Sequence, residues 1–290
     1  MLETYLLAEL VTFAETGTLA ATAAKLNVTQ PTITRGMQKL ETDLGVILFD
    51  RQPNRLSLTA TGQLAAQQAR ELLTAQDQFV TQIQNFDQTQ RTITVGTTIP
   101  GPLYLLPLFN DQFRLTINAE LVTPTDVTTT LTSNAATLMF TAKPLQTTAI
   151  KSQLIGTEQL AVNLNKFMYQ ANQSQITFKE LAGLSFIVLS KIGPWRDIIQ
   201  QAIPDAKFFY QKEFDALAEI TEYADFPYFS TNLAQFYTAY HSRLTVDDSR
   251  VEIPISDANA QMPIYAAYLK TQQARVKPLI SALVKKWPTS

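Results

Sequence analysis

The run Leu26-Asn27-Val28-Thr29-Gln30-Pro31 constrains this chain most, because it reads as a tight joint between two helices. Upstream, Thr18 can cap a helix whose inner face is Leu19, Ala23 and Leu26. Asn27 tolerates the left-handed conformation that closes a helix, and Val28 is a small apolar plug. Thr29 can cap the next helix, and Pro31 falls in its first turn, where a missing N–H costs nothing. Ile33, Met37, Leu40 and Leu44 then face inward. An earlier helix, closed by Gly17, carries Leu6, Leu10 and Phe13 on one face, with Leu7, Val11 and Ala14 beside them.

Two short helices meeting at such a joint form a helix-turn-helix. Thr29 at the cap and Gln30, Pro31, Thr32, Thr34, Arg35 and Gln38 lie off the buried stripe of the third helix. Arginine can pair bidentately with guanine, glutamine with adenine, and threonine or proline can touch a thymine methyl. A merely solvated helix face would look the same, so the next segment matters. Asp50-Arg51-Gln52-Pro53-Asn54-Arg55 is a turn between the extended pieces Ile47-Leu48-Phe49 and Leu56-Ser57-Leu58, which makes a β-wing. Arg51 and Arg55 project from it toward where a minor groove and its phosphates would lie. Residues 1–58 hold five basic side chains against six acidic ones, so placement rather than charge count carries this reading.

Composition narrows the alternatives. The chain has no cysteine, one histidine (His241) and nine scattered glycines. Thiol chemistry, the usual zinc sites and Gly-rich phosphate loops are therefore not expected, and a Ser-His-Asp mechanism would have to run through His241. No apolar run approaches membrane-spanning length, and the N-terminus lacks a basic signal region, so a cytoplasmic location is expected.

The run Phe13-Ala14-Glu15-Thr16-Gly17-Thr18-Leu19, followed by Ala23, Leu26 and Asn27 through Arg35, resembles the DNA-binding head of LysR-type transcription regulators. So do Leu40-Glu41 through Leu44-Gly45-Val46, Leu48-Phe49-Asp50-Arg51 and Leu58-Thr59-Ala60-Thr61-Gly62. Thr22 and Ala20 depart from the family pattern. Gly36, inside the third helix, reads as a tolerated cost of roughly 1 kcal/mol against alanine.

Thr59 caps a further helix reaching about Phe86, in which Leu72, Ala75, Phe79, Gln82 and Phe86 form a heptad-like seam. Leu64, Leu73, Val80 and Ile83 widen the seam. Such a stripe could pack on its own domain or on a second chain. The resemblance implies the second, with Leu72, Phe79, Ile83 and Phe86 as dimer contacts and Asp87-Gln88-Thr89-Gln90 as a polar hinge.

From Arg91 onward strands and helices alternate, an α/β pattern with largely parallel strands. Gln159-Leu160-Ala161-Val162, Thr177 to Gly183 with Phe186 to Leu189, and Val251 to Ile255 resemble the family's two-lobed, periplasmic-binding-protein-like (type 2) effector domain. Thr137 replaces the usual acidic residue, and Tyr223-Ala224-Asp225 a usual Gly-rich segment. The expected organisation is therefore a winged helix-turn-helix over 1–58, a linker helix over 59–89 and an effector domain over 90–290. Lobe one would take about 90–163 and 265–290, and lobe two about 164–264, with crossings near 163–165 and 262–265. Ligands in such domains bind at strand ends against helix N-termini. Thr97, Thr98, Thr141, Ser190, Thr231 and Asn232 fall there, with Trp195 and Arg196 nearby, although each would also serve as a plain helix cap.

The resemblance thus implies a DNA-binding regulator, not an enzyme. Its partners would be double-stranded operator DNA, a second copy of itself (a dimer, extendable to a tetramer), RNA polymerase and a small polar or anionic metabolite. No cofactor is expected. The rival is a DNA-binding protein whose degenerate effector domain binds nothing, its cleft filled by Ile99, Pro100 and Tyr104. An enzyme with a DNA-binding head would need a catalytic constellation, and only generic carboxylates are in view.

Overall fold

The computed structural model describes residues 2–52, 55–237 and 249–288, with Arg55 and Thr89 described by backbone alone. The chain divides into two compact units, Met1–Gln84 and Asn85–Ser290.

The first unit opens with α1 (Thr4–Thr16), α2 (Leu19–Leu26) and α3 (Gln30–Leu44). Thr18 caps α2 by accepting from Ala21 N at 3.2 Å, and Asn27 closes it with φ 54°. Thr29 sits at the N-cap of α3, but its hydroxyl meets the Thr32 hydroxyl at 2.8 Å rather than a backbone N–H. Leu6, Leu10, Ile33, Leu40 and Leu48 form the fully buried centre, with Phe13 set edge-on to Phe49 at 5.4 Å. Thr22 is buried without loss, because its hydroxyl donates to Thr18 O at 2.7 Å and meets Thr16 Oγ1 at 2.8 Å.

The wing pairs β1 (Phe49–Gln52) with β2 (Arg55–Leu58), matching Phe49 to Leu58 and Arg51 to Leu56. The strand therefore starts at Phe49 rather than Ile47 and takes in Arg51, which sequence placed in the turn. Phe49 anchors it by burial, whereas Ile47 is 72% exposed. Pro53 and Asn54, left between the strands, lie outside the described residues.

Helix α4 (Ala60–Arg91) starts where Thr59 accepts from Gly62 N at 3.0 Å. Ala66, Ala69 and Leu73 pack into the core of the first unit, so Leu73 belongs to this core rather than to the seam. Leu72, Phe79 and Ile83 stay 57–64% exposed, and Phe86 is half exposed. The segment 87–90 is helical and not a hinge. It contains no Gly or Pro, and Asp87 pairs with Arg91 at 2.8 Å across the last turn.

The second unit comprises β3 (Ile93–Thr97), α5 (Gly101–Leu105), β4 (Leu115–Leu121), α6 (Val127–Thr132), β5 (Leu138–Thr141), β6 (Ile150–Asn165), β7 (Ser185–Leu189) and α7 (Trp195–Ala202). Next come β8 (Lys207–Gln211), α8 (Phe214–Tyr223), β9 (Tyr228–Thr231), β10 (Arg250–Pro254), β11 (Gln261–Leu269) and a final helix, α9 (Gln273–Lys286). The strand order is β4-β3-β5-β11-β6-β9-β7-β8, with β10 also on β6.

This sheet is mixed rather than largely parallel. β3 runs parallel to β4 and β5, and β7 to β8 and β9. Every pairing of β6 or β11 is antiparallel. The reason is topological: β6 carries the chain out of the first lobe and β11 brings it back, so each runs against its neighbours. β6 pairs with β11 up to Gln159 and with β9 from Leu160, ahead of the expected crossing at 163–165. The apolar pattern from Leu103 to Phe113 predicts one helix, but Pro107 limits it to α5 and the short turn Leu106–Phe109. The pattern over 232–241 predicts a further helix; the described part, 232–237, forms a short turn at Ala234–Phe236, and 238–241, with His241, lie outside the described residues.

Candidate nucleic-acid interface and ligand cleft

On α3, Gln30, Pro31, Arg35 and Gln38 are exposed and Thr32 and Thr34 half-buried, so the residues expected to face DNA share one solvent face. Thr34 turns its hydroxyl proton back to Gln30 O at 3.1 Å, which leaves its methyl group and a lone pair for the outside. Arg35 donates from Nε to Pro31 O at 3.3 Å, which draws its guanidinium toward the first turn of α3. Gln30, Thr34, Arg51 and Gln52 line one hollow with Thr18 and Leu19, of about 540 Å³. The start of α2, the recognition face of α3 and the wing thus converge on one concave surface.

Ion pairs sort the basic residues. Lys25 and Arg70 both bind Glu15, at 2.8 and 3.2 Å, and Lys39 binds Glu3 at 2.6 Å. The cation beside it holds the Glu3 carboxyl below its ordinary range, and the carboxylate in turn raises the Lys39 ammonium. Arg51, expected to reach phosphates, is instead held by Glu41 at 2.7 Å. The other oxygen of Glu41 accepts from Leu48 N and Phe49 N at 2.8 and 3.0 Å, so Glu41 straps the wing to α3. The Arg55 side chain is outside the described residues. Among those described in this unit, Arg35 is the basic side chain outside any ion pair.

Gly36 has a specific role that sequence could not assign. A Cβ there would land on Glu9 Oε2, and Glu9 is buried with that oxygen unbonded. Burial raises the Glu9 carboxyl above its ordinary range. Gly36 is thus the seat of a buried side chain rather than a tolerated irregularity.

In the second unit, two of the six residues expected at the ligand site come together. Thr98 and Thr141 line a cleft of about 670 Å³ with Thr123 and Lys143 of the first lobe and Gly193, Pro194 and Asp197 of the second. Their hydroxyls donate to Phe140 O at 3.3 Å and Lys143 O at 2.8 Å. At Gly193, with φ 58°, a Cβ would sit 3.1 Å from Thr98 O, so the two lobes nearly touch backbone to backbone. Lys191 reaches Glu120 across the same gap, 2.9 Å from each oxygen.

The other four lie elsewhere. Thr97 is fully buried and closes a local turn with both the N–H and the carbonyl of Ile99. Ser190 donates to Gln211 O at 2.9 Å and is not on the cleft wall. Thr231 accepts from Leu233 N at 3.3 Å. Asn232 brackets β6 where it changes partner, accepting from Gln159 N at 3.0 Å and donating to Thr157 O at 3.1 Å. Thr123, Lys143 and Asp197 were missed. Gly193-Pro194 ahead of α7 was the signal available for the last, since that pair marks a turn into a helix start. Ile99 is buried and Tyr104 stacks on Tyr237 at 4.8 Å, and neither residue fills the Thr98–Thr141 cleft. Among the described residues no helix is long and apolar enough to cross a membrane, and no group of three His, Asp or Glu is placed to hold a metal ion.

The chain thus carries a winged helix-turn-helix, a long helix and a two-lobed α/β unit with an open cleft. Residues 5–63 match the family described as bacterial regulatory helix-turn-helix protein, lysR family, so this segment is similar to the DNA-binding domain of that family. It is 48% identical over 63 residues to the HTH-type transcriptional regulator TcbR of Pseudomonas sp. (strain P51), covering 22% of this chain and 21% of TcbR. It is 34% identical over 105 residues to the uncharacterized HTH-type transcriptional regulator YbhD of Escherichia coli, covering 36% and 33%. These sequence matches span between 21% and 38% of the relatives' lengths. Over the whole chain the fold is similar to Vibrio fischeri DarR, solved in complex with DNA, with TM-score 0.63, 17% identity and coverage of 99% and 100%. A full-length OxyR variant from Pseudomonas aeruginosa gives TM-score 0.52 at 18% identity, covering 99% and 95%.

Proposed function

We propose that the whole chain is a sequence-specific DNA-binding transcription regulator that acts as a homodimer and responds to a small polar metabolite held between its lobes. The carrying observation is the face of α3, where Arg35 stands exposed and outside any ion pair beside Gln30 and Thr34. An unpaired guanidinium on a recognition helix can read guanine in the major groove, while Arg51, already neutralised by Glu41, contributes less to phosphate binding. The exposed Leu72, Phe79 and Ile83 support pairing of two α4 helices, and two heads reading two half-sites multiply their affinities.

The cleft supports the ligand reading over the degenerate rival. It is open, draws walls from both lobes, and offers the Lys143 ammonium and the start of α7 to a carboxylate. Asp197 on the same wall favours a ligand that also carries a hydrogen-bond donor.

The test is quantitative footprinting on an operator mapped by genome-wide DNA binding. Arg35→Ala should weaken operator binding by ~1–3 kcal/mol, relax one base position and leave non-specific binding nearly unchanged. Arg55→Ala should weaken binding to all sequences and flatten its salt dependence. Unaltered operator affinity in Arg35→Ala would remove α3 from the groove.

A further inference from the structure

Beside the cleft, and separate from it, the second lobe encloses a mostly apolar cavity of about 90 Å³. Its walls are the ends of β7 and β9 and the inner faces of α7 and α8, and Pro100 and Tyr104 cover it from the first lobe. Two polar side chains sit in this wall with unmet hydrogen-bonding capacity. Glu158 is 1% exposed and Trp195 2%; the Trp195 indole and the Thr231 hydroxyl lie close to the Glu158 carboxyl, yet neither Glu158 Oε2 nor Trp195 Nε1 closes a well-formed hydrogen bond. Gly101 keeps its backbone bare above the carboxyl, because an added Cβ would fall 2.5 Å from Glu158 Oε1. Burying an acceptor and a donor unsatisfied is unfavourable, and neither DNA reading nor the Thr98–Thr141 cleft uses them.

We infer that this cavity is a second ligand site, for a small uncharged alcohol whose hydroxyl donates to Glu158 Oε2 and accepts from the Trp195 indole N–H. The chemistry selects that head group. A hydroxyl carries one proton to give and lone pairs to receive, so a single oxygen satisfies both side chains. An ammonium has no lone pair for the indole. Once Glu158 has lost its proton, a carboxylate would face it with like charge. A plain hydrocarbon leaves both groups bare. The volume holds about three waters at ~30 Å³ each, which suits a short aliphatic body against Leu160, Val188 and Leu217. The inference stands apart from the proposed DNA reading, since it concerns a site within one lobe and its readout involves no DNA.

The experiment uses the full chain labelled with 5-fluorotryptophan, with the two ¹⁹F resonances assigned through Trp287→Phe. Titration with n-butanol at about pH 8.5, where Glu158 is ionised, should shift the Trp195 resonance saturably, at least tenfold tighter than n-butylamine or butyrate. Ala234→Leu, which fills the cavity from its wall, and Glu158→Leu, which removes the acceptor, should each weaken n-butanol binding at least tenfold. If Glu158→Leu fails to fold, Ala234→Leu and the head-group series decide the matter. Absence of a saturable shift, equal binding of the amine or the carboxylate, or binding that survives Ala234→Leu overturns the assignment.

Discussion

Glu9 and Gly36 lie on different helices, and an added Cβ at position 36 would meet the Glu9 carboxyl. Alanine at that position should favour helix by ~1 kcal/mol in isolation, yet overpacking a tight site costs about 1–3 kcal/mol. Gly36→Ala is therefore expected to lower stability in urea titration, and Glu9→Ala in the same chain to restore it by making room. A double variant no more stable than Gly36→Ala alone would separate the two residues. Sequence showed the glycine but not its reason, because residues 9 and 36 meet only once α1 packs on α3. Glu158 is a second buried acid. Burial lifts its pKa to about 7, with the nearby Thr231 hydroxyl and Trp195 indole opposing the rise. The folded chain thus keeps a proton that the unfolded chain releases near 4.5, and stability from this group falls as pH rises from about 4.5 to 7. A gap of that size corresponds to roughly 3 kcal/mol. Glu158→Gln should narrow the difference in stability between pH 5 and pH 8, measured by urea unfolding through Trp195 and Trp287, both in the second unit. An undiminished pH slope in the variant would assign the effect to another group.

Helix α4 was legible at its start and along its seam but not at its end. Thr59, Ala60 and the spacing of Leu72, Phe79 and Phe86 mark a helix from sequence, whereas the polar run 87–90 reads as a hinge only because charge and glutamine often accompany loops. Glutamine is a good helix former, and Asp87 with Arg91 completes the turn. The reverse case is β8, whose Lys207-Phe208-Phe209-Tyr210-Gln211 shows no two-residue alternation to mark a strand. Its strand character depends on β7, which aligns Phe186 with Phe208 in register and packs their rings at 5.6 Å. Strand direction was hidden for the same kind of reason, since an apolar run buried on both faces reads alike in either sense. The seam on α4 yields the prediction that belongs to this scale. Phe79 is 64% exposed in the single chain, so aspartate there should leave the fold of either unit intact. In a paired helix the same charge would be buried without a partner. Phe79→Asp should therefore give monomers by light scattering and lose cooperative operator binding. A dimer of unchanged mass would move the self-contact away from α4.

At the scale of the whole molecule, the proposed ligand cleft takes walls from two lobes, and that is why one-dimensional reading found only part of it. Strand-end hydroxyls were a fair guide to Thr98 and Thr141, because β3 and β5 are adjacent parallel strands ending on one side. The same rule failed at Ser190 and Asn232, whose polar atoms are consumed by the backbone of β8 and β6. Lys143 lies in a segment no periodicity marks and Asp197 on the exposed side of α7, and the two line one cleft only when β6 and β11 fold one lobe against the other. This distinction separates two variants that sequence alone treats as equivalent. A ligand that spans the lobes can shift them only through contacts it makes differently in the open and closed states. Thr98 is on the cleft wall, with its hydroxyl only loosely engaged at 3.3 Å, and is free to turn toward a ligand. Thr98→Val should abolish the thermal stabilisation given by a carboxylate-bearing metabolite found by screening the full chain, with little change in basal stability. Ser190→Val should instead keep the ligand response and lose ~1 kcal/mol of stability, from the bond to Gln211 O. Thermal-shift curves of both variants with and without the metabolite decide it. Loss of response in Ser190→Val alone would place the ligand at the end of β7 and leave the Thr98–Thr141 cleft without one.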